Sequence, residues 1–186
     1  MKIDDISLTL FEWAGIPSTT YGRHTGEFAG TSQLGLLTVR TDEGVEGHSF
    51  LGAASRPALL DAQSLVDQLK PMVMGADPLD RERLYRSMCS RLRATTYRAV
   101  GAVDVALWDI AGKIAGLPVY QLLGAARNSI PAYASSPVLP DKSAYVEQAL
   151  HHQSTGWAAY KIHPPTQWRL DIDICRAVRD AVGDDY

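Results

Sequence analysis

Two side chains that handle protons stand close together in the stretch Gly-Trp-Ala-Ala-Tyr-Lys-Ile-His-Pro-Pro, at residues 156–165. Its apolar and aromatic residues predict a short buried strand, and the two prolines end it because proline cannot donate to a sheet ladder. Side chains alternate between the two faces of a strand. Lys161 and His163 are therefore expected on one face, and Tyr160 and Ile162 on the other.

A lysine and a histidine together at the end of a strand predict part of a catalytic site. An unpaired ammonium group costs several kcal/mol to bury in an apolar core, so Lys161 is an unusual choice for packing alone. A neutral imidazole such as that of His163 can take up a proton near pH 7. The alternative is that both residues simply lie at an exposed strand end, and this stretch alone does not decide between the two interpretations.

Composition argues against several classes of protein. Hydrophobic residues make up 46% of the chain and charged residues 21%, which is ordinary for a globular protein. The net charge of −3 gives no electrostatic reason to bind nucleic acid. No apolar run reaches the roughly 18 residues of a membrane span, so we expect neither nucleic acid nor membrane as a partner. Cys89 and Cys175 lie far apart and outside any CxxC spacing, which favours a cytoplasmic location.

The first fifty residues predict a three-stranded antiparallel meander. Residues 3–13 alternate between polar and apolar, as a half-buried strand does. Residues 34–41 and 45–50 predict two strands joined at residues 42–44, where Gly44 can supply the positive φ of a hairpin turn.

A glycine-rich loop is predicted between the first two strands, at residues 14–31. It carries polar and aromatic side chains at Tyr21, Arg23, His24 and Glu27. A loop of this length is either a functional lid or a mobile polar surface segment, and both interpretations stay open. A second loop is possible at residues 48–52, although His48 could equally be an exposed strand residue, which we favour.

Helical spacing of apolar residues follows, and strands and helices then alternate. Helices are predicted at residues 57–73, from about Pro78, at 97–115, and in a short segment ending at Leu123. Asp109 and Lys113 are four residues apart in the third of these helices and are predicted to form a surface ion pair. Further strands are predicted at residues 130–134 and 157–163, and further helices at 142–153 and 167–182. Alternation at this spacing predicts parallel strands with covering helices.

The most specific motif is a long helix and the turn after it. Residues 97–113 read Tyr-Arg-Ala-Val-Gly-Ala-Val-Asp-Val-Ala-Leu-Trp-Asp-Ile-Ala-Gly-Lys, and residues 116–124 read Gly-Leu-Pro-Val-Tyr-Gln-Leu-Leu-Gly. This run closely resembles the signature of the mandelate racemase/muconate lactonizing enzyme family of the enolase superfamily. The resemblance implies an α+β capping domain over residues 1–125, with the meander and a helical bundle. The first two βα units of a TIM-type (β/α) barrel would follow over residues 126–186, and because two units do not close a barrel we expect a longer natural chain.

The resemblance also implies roles for individual residues. Lys161-Ile162-His163 occupies the place of the family's Lys-x-Lys at the end of the second barrel strand, so Lys161 would lie near the substrate carboxylate and stabilise an enediolate. His163 replaces the lysine that removes the α-proton. It would either be the base or form hydrogen bonds while a base on the opposite side of the barrel acts. The other implied substrate contacts are Ser135 after the first barrel strand, Tyr21, Arg23 and His24 in the loop, and His48.

The implied cofactor is Mg²⁺, held in this family by three carboxylates at the ends of later barrel strands. None of those strands lies within residues 1–186, so the metal ligands are expected beyond Tyr186. The implied chemistry is abstraction of the proton α to a carboxylate of a small molecule, and the polar loop favours dehydration of a sugar acid to a 2-keto-3-deoxy acid. The alternatives are a racemase or epimerase of a 2-hydroxy acid and an inactive capping or binding fragment. We expect a homo-oligomer.

Overall fold

A computed structural model describes residues 1–22 and 26–186, which divide into two compact units. The first unit comprises Met1–Ile16 and Gly30–Ala126. The second comprises Arg127–Tyr186 together with the described part of Pro17–Ala29. The predicted domain boundary after residue 125 stays a prediction.

The described elements follow the α+β order that the resemblance implies. Up to Ala126 the elements in chain order are β1 (Ile3–Thr19), β2 (Phe28–Thr41), β3 (Glu46–Leu51), α1 (Leu59–Ser64), a π-helical turn (Leu65–Leu69), α2 (Lys70–Val73), α3 (Arg81–Cys89), α4 (Tyr97–Ala115) and α5 (Val119–Leu122). The second unit continues with β4 (Ala134–Ser135), α6 (Lys142–Ser154), β5 (Tyr160–Lys161) and α7 (Trp168–Val182). None of the helices among these residues is both long enough and apolar enough to cross a membrane.

The meander is a three-stranded sheet in the order β1–β2–β3, as predicted. Strands β2 and β3 pair antiparallel, from Arg40 opposite Glu46 to Gly35 opposite Leu51. The alternating pattern places Ile3, Leu37 and Val39 in the core, where they contact the helices. The capping domain and the start of a barrel are therefore confirmed as the fold class.

Helix α4 is the centre of the first unit, and its bounds are those predicted. The Thr96 hydroxyl accepts a hydrogen bond from the Ala99 N–H at the start of the helix, and Gly116 ends it with a φ of 64°. The fully buried carboxylate of Asp61 accepts a hydrogen bond from the Thr96 hydroxyl at 2.8 Å and forms ion pairs with Arg56 and Arg98. The start of α4 is thereby fixed by a buried acid that the sequence pattern did not single out.

Strand β3 packs closely against α4 at Gly47. A Cβ added there would lie 2.0 Å from the backbone oxygen of Ala106 and 2.7 Å from the side chain of Ile110. Because the obstacle includes backbone, it cannot move aside as a flexible side chain would. Only glycine at this position lets the sheet and the helix approach so closely.

The loop predicted at residues 14–31 is wrong at both ends, because the strands run into it. Strand β1 continues to Thr19 and β2 begins at Phe28, within the predicted loop at residues 14–31. Gly15 and Gly30 have φ values of 70° and 83°, so these glycines bend the strands, as bulge positions do, without ending them. The favoured interpretation of His48 as a strand residue is confirmed, because it lies inside β3 and pairs with Thr38 of β2.

The barrel strands are shorter than predicted, whereas the helices after them match within a residue at each end. Strand β5 spans two residues in place of residues 157–163, and β4 is displaced toward Ser135 from residues 130–134. Among the described residues these two strands pair only with each other, so the regular ladder is short. His163 therefore lies just past the end of β5.

Substitution of Gly47 tests the close contact between β3 and α4. We expect Gly47→Ala to lower the free energy of unfolding by about 3 kcal/mol, because overpacking against backbone cannot relax locally. The matched control is Gly101→Ala in α4, where a Cβ meets nothing within 4 Å. The control should raise stability by about 0.5–1 kcal/mol because alanine favours helix. Urea unfolding measures both, and a Gly47→Ala protein as stable as wild type would contradict the packing.

Candidate active site

Two parallel strand ends form the centre of the candidate site. Ala134 pairs with Tyr160 and Ser135 with Lys161. The Ala134 N–H donates to the Ala159 carbonyl at 3.0 Å, and the Ser136 N–H donates to the Lys161 carbonyl at 3.0 Å. Side chains at the carboxyl ends of neighbouring parallel strands meet at one edge, which is where α/β proteins place their sites.

The predicted alternation of side chains along β5 is confirmed on its buried face. Tyr160 and Ile162 pack against the core between α6 and α7, whose centre is Tyr145 and Ile174. The Tyr160 hydroxyl donates to the Gln148 side chain at 2.7 Å. Lys161 takes no part in this core and is exposed.

The imidazole of His163 lies against the end of the first barrel strand. Its Nδ1 is 2.6 Å from the carbonyl oxygen of Ser136 and 3.4 Å from the hydroxyl of Ser135. A carbonyl oxygen can only accept, so Nδ1 carries the proton and donates it. The neutral ring then presents a free lone pair at Nε2, which is the nitrogen able to act as a base.

Lys161 supplies an exposed positive charge beside this histidine. It pairs in register with Ser135, and its ammonium nitrogen lies 5.7 Å from the ring centroid of Tyr133, within the range of a cation–π contact. The structure thus brings Ser135, Lys161 and His163 to one edge of the two-stranded sheet. A base, a cation and a hydroxyl in this arrangement can bind a carboxylate and remove a proton next to it.

The hairpin between β1 and β2 contributes a further predicted residue. The ring of Tyr21 meets the His163 ring edge-on with centroids 4.8 Å apart, and it lies 6.0 Å from the ring of Phe28. The carbonyl of Thr20 accepts a hydrogen bond from the Val138 N–H at 2.9 Å. The hairpin is therefore attached to the segment after β4, while Arg23 and His24, predicted as contacts, lie outside the described residues.

His48 belongs to the first unit and its partners lie on β3 and α4. Its N–H donates to the Asp109 carboxylate at 2.8 Å, and the Lys113 ammonium lies 3.3 Å from its Nδ1. The predicted pair of Asp109 and Lys113 is confirmed at 2.8 Å. Burial raises the pKa of Asp109, but the hydrogen bonds from Lys113 and His48 outweigh it, so the pKa lies below its usual value.

Two residues of the site were missed by the sequence analysis. Ser136 and Tyr145 are both fully buried, and both bind the main chain of His163. A serine one place beyond a strand carries no signal of its own. Tyr145 stands four residues before Ala149 on the inner face of α6, a spacing that indicates packing but not a hydroxyl directed at a strand end.

A metal site is not formed by the residues that the structure describes. Among them, no group of three or more histidine, cysteine, aspartate or glutamate side chains is close enough to hold a metal ion.

Comparison with known proteins identifies the family. Residues 23–124, more than half of the chain, match the family described as mandelate racemase/muconate lactonizing enzyme, N-terminal domain. The chain belongs to the mandelate racemase/muconate lactonizing enzyme family. A D-mannonate dehydratase of Sphingomonas sp. (strain SKA58) is 41% identical over 135 residues, which are 68% of this chain and 32% of that protein.

Solved structures of this family share the fold over the whole chain. D-glucarate dehydratase from Agrobacterium tumefaciens, complexed with magnesium, has a TM-score of 0.81 and 30% identity, covering 100% of this chain and 52% of that one. N-succinyl Arg/Lys racemase from Bacillus cereus ATCC 14579 has a TM-score of 0.84 and 25% identity, covering 100% of this chain and 50% of that one. The chain thus spans about a third of its curated relative and about half of the two solved chains.

Substitution of Tyr21 tests whether the hairpin of this family member contacts the candidate base. The edge-on ring alters the magnetic environment of the His163 ring protons. Tyr21→Leu should therefore shift their NMR signals, while Tyr21→Phe keeps a ring in place and should leave them close to wild type. Assignment uses the signal lost in His163→Gln. Equal spectra for Tyr21→Leu and wild type would show that the two rings do not touch in solution.

Proposed function

We propose that this protein removes the proton α to the carboxylate of a sugar acid and dehydrates the acid to a 2-keto-3-deoxy product. The observation that carries the proposal is the placement of Lys161, His163 and Ser135 together at the carboxyl ends of two parallel strands. Similarity to a D-mannonate dehydratase and a D-glucarate dehydratase supports a sugar acid as substrate.

His163 is proposed as the base. With Nδ1 donating to the Ser136 carbonyl, Nε2 is available to take the proton from C2 of the acid. The electrons of the broken C2–H bond form the enediolate. The hydroxyl on C3 then leaves as water, with a proton supplied by a general acid. The resulting enol takes a proton at C3 to give the 2-keto acid.

Lys161 and Ser135 are proposed to bind the carboxylate. The α-proton beside an ionised carboxylate is very weakly acidic, because its removal creates a second negative charge on the same group. The exposed ammonium of Lys161 lies in register with Ser135 and would stabilise that charge as it develops. Tyr21, Arg23 and His24 are proposed as further substrate contacts, with Tyr21 supported by its position against His163.

Mg²⁺ is proposed as the cofactor because D-glucarate dehydratase, a similar protein, is complexed with magnesium. As the family resemblance implies, we propose that its ligands lie on later barrel strands than β4 and β5. A divalent cation would add positive charge beside the enediolate. The free thiols of Cys89 and Cys175 support the proposal that the protein works in the cytoplasm.

A racemase is the second candidate, supported by the similarity to N-succinyl Arg/Lys racemase. The same first step serves both reactions, and return of the proton to the opposite face of the α-carbon would give the other isomer. A capping or binding fragment without catalysis is the alternative from another class. The fate of the α-proton distinguishes the dehydratase, the racemase and the fragment without catalysis.

The test is to incubate the natural purified protein with Mg²⁺ and D-mannonate, D-galactonate or D-glucarate in D₂O. A dehydratase forms a 2-keto acid, and a racemase would exchange the α-hydrogen without losing water. Lys161→Met and His163→Gln should each lower kcat by about 100-fold or more. The control is His151→Gln, which removes an exposed histidine of α6 and should keep full activity. Wild-type rates in both site variants would contradict the assignment, and neither product nor exchange would favour the binding fragment.

A further inference from the structure

Ser136 joins the two strand ends through all of its polar groups. Its N–H donates to the Lys161 carbonyl at 3.0 Å, its hydroxyl accepts from the His163 N–H at 3.0 Å, and its carbonyl accepts from the His163 ring at 2.6 Å. The residue is fully buried, so water does not compete for these bonds. One serine therefore holds both the backbone and the ring of His163.

Tyr145 holds the other side of the same residue. Its hydroxyl donates to the His163 carbonyl at 2.8 Å and accepts from the Leu139 N–H at 2.9 Å. Burial raises the pKa of this hydroxyl above its usual value, so it stays protonated and remains a donor across the physiological range. The backbone N–H, the backbone carbonyl and the ring Nδ1 of His163 are then all engaged.

These contacts fix more than the place of the imidazole. A histidine without such partners exchanges between two neutral tautomers, and only one of them has a free lone pair at Nε2. The Ser136 carbonyl selects that tautomer only while the ring stays beside it. The hydrogen bonds between the Ser136 and Tyr145 hydroxyls and the main chain of His163 hold the ring in that place.

We propose that Ser136 and Tyr145 are positioning residues that keep His163 in the Nδ1–H tautomer, with Nε2 presented to the reacting carbon. The assignment of tautomer stands on the geometry alone, whereas the consequence for catalysis rests on the proposed function. Neither side chain needs to touch the substrate for this role.

The test compares Tyr145→Phe and Ser136→Ala with Ser154→Ala. The control lies on the same helix as Tyr145, and the Ser154 hydroxyl donates one hydrogen bond, to the carbonyl of His151 and not to His163. Nitrogen-15 NMR of histidine-labelled protein reports the tautomer of His163, assigned with His163→Gln. Circular dichroism tests whether each variant is folded. If Tyr145→Phe does not fold, Ser136→Ala alone tests the proposal.

We expect the Nδ1–H tautomer in wild type and Ser154→Ala, and a mixture of tautomers in Tyr145→Phe and Ser136→Ala. On the substrate that the natural protein turns over, kcat should fall about 10- to 100-fold in these two variants while KM changes by less than about threefold. An Nε2–H tautomer in wild type, or unchanged tautomers in both variants, would overturn the proposal. If the variants lose the Nδ1–H tautomer but the natural protein turns over no sugar acid, the positioning role is upheld and only the proposed function is refuted.

Discussion

The candidate site depends on one buried serine that holds two strand ends together. Ser136 continues the pairing of β4 with β5 by one residue beyond the regular strands, and it does so at the point where His163 leaves the sheet. Without this connection the ring of His163 would have no fixed acceptor for Nδ1. The ring nitrogen that keeps a free lone pair would then be undefined, because a neutral imidazole without a fixed partner can carry its proton on either nitrogen.

The parts that follow from local pattern could be predicted from the sequence. Helix α4 has its predicted bounds because its apolar stripe, the Thr96 cap and the terminal Gly116 all indicate the same helix. Its sequence also carried the resemblance to the family, which the match over residues 23–124 confirms. The alternation of Tyr160 and Ile162 with Lys161 and His163 follows from strand geometry, so the sharing of one strand end by lysine and histidine was predictable as well.

The parts that depend on contacts distant in sequence could not be predicted. Glycines at 15 and 30 indicate a loop by composition, and only pairing between β1 and β2 shows that they bend continuous strands. Asp61 and Tyr145 look like ordinary helix residues in the sequence. Yet Asp61 accepts a hydrogen bond from Thr96, 35 residues away, and Tyr145 donates one to His163, 18 residues away. Single-residue patterns carry no information on such partners, which is why the supporting residues of the site were missed.

The central claim is that Lys161 and His163 act on one carboxylate substrate from the same edge of the sheet. A crystal structure of the natural protein with a bound, unreactive hydroxycarboxylate tests it most directly. We expect the ligand carboxylate within hydrogen-bond distance of the Lys161 ammonium, Nε2 of His163 facing the α-carbon, and Nδ1 still donating to the Ser136 carbonyl. A ligand bound away from β5, or a His163 ring rotated off Ser136 with Nε2 turned from the ligand, would contradict it.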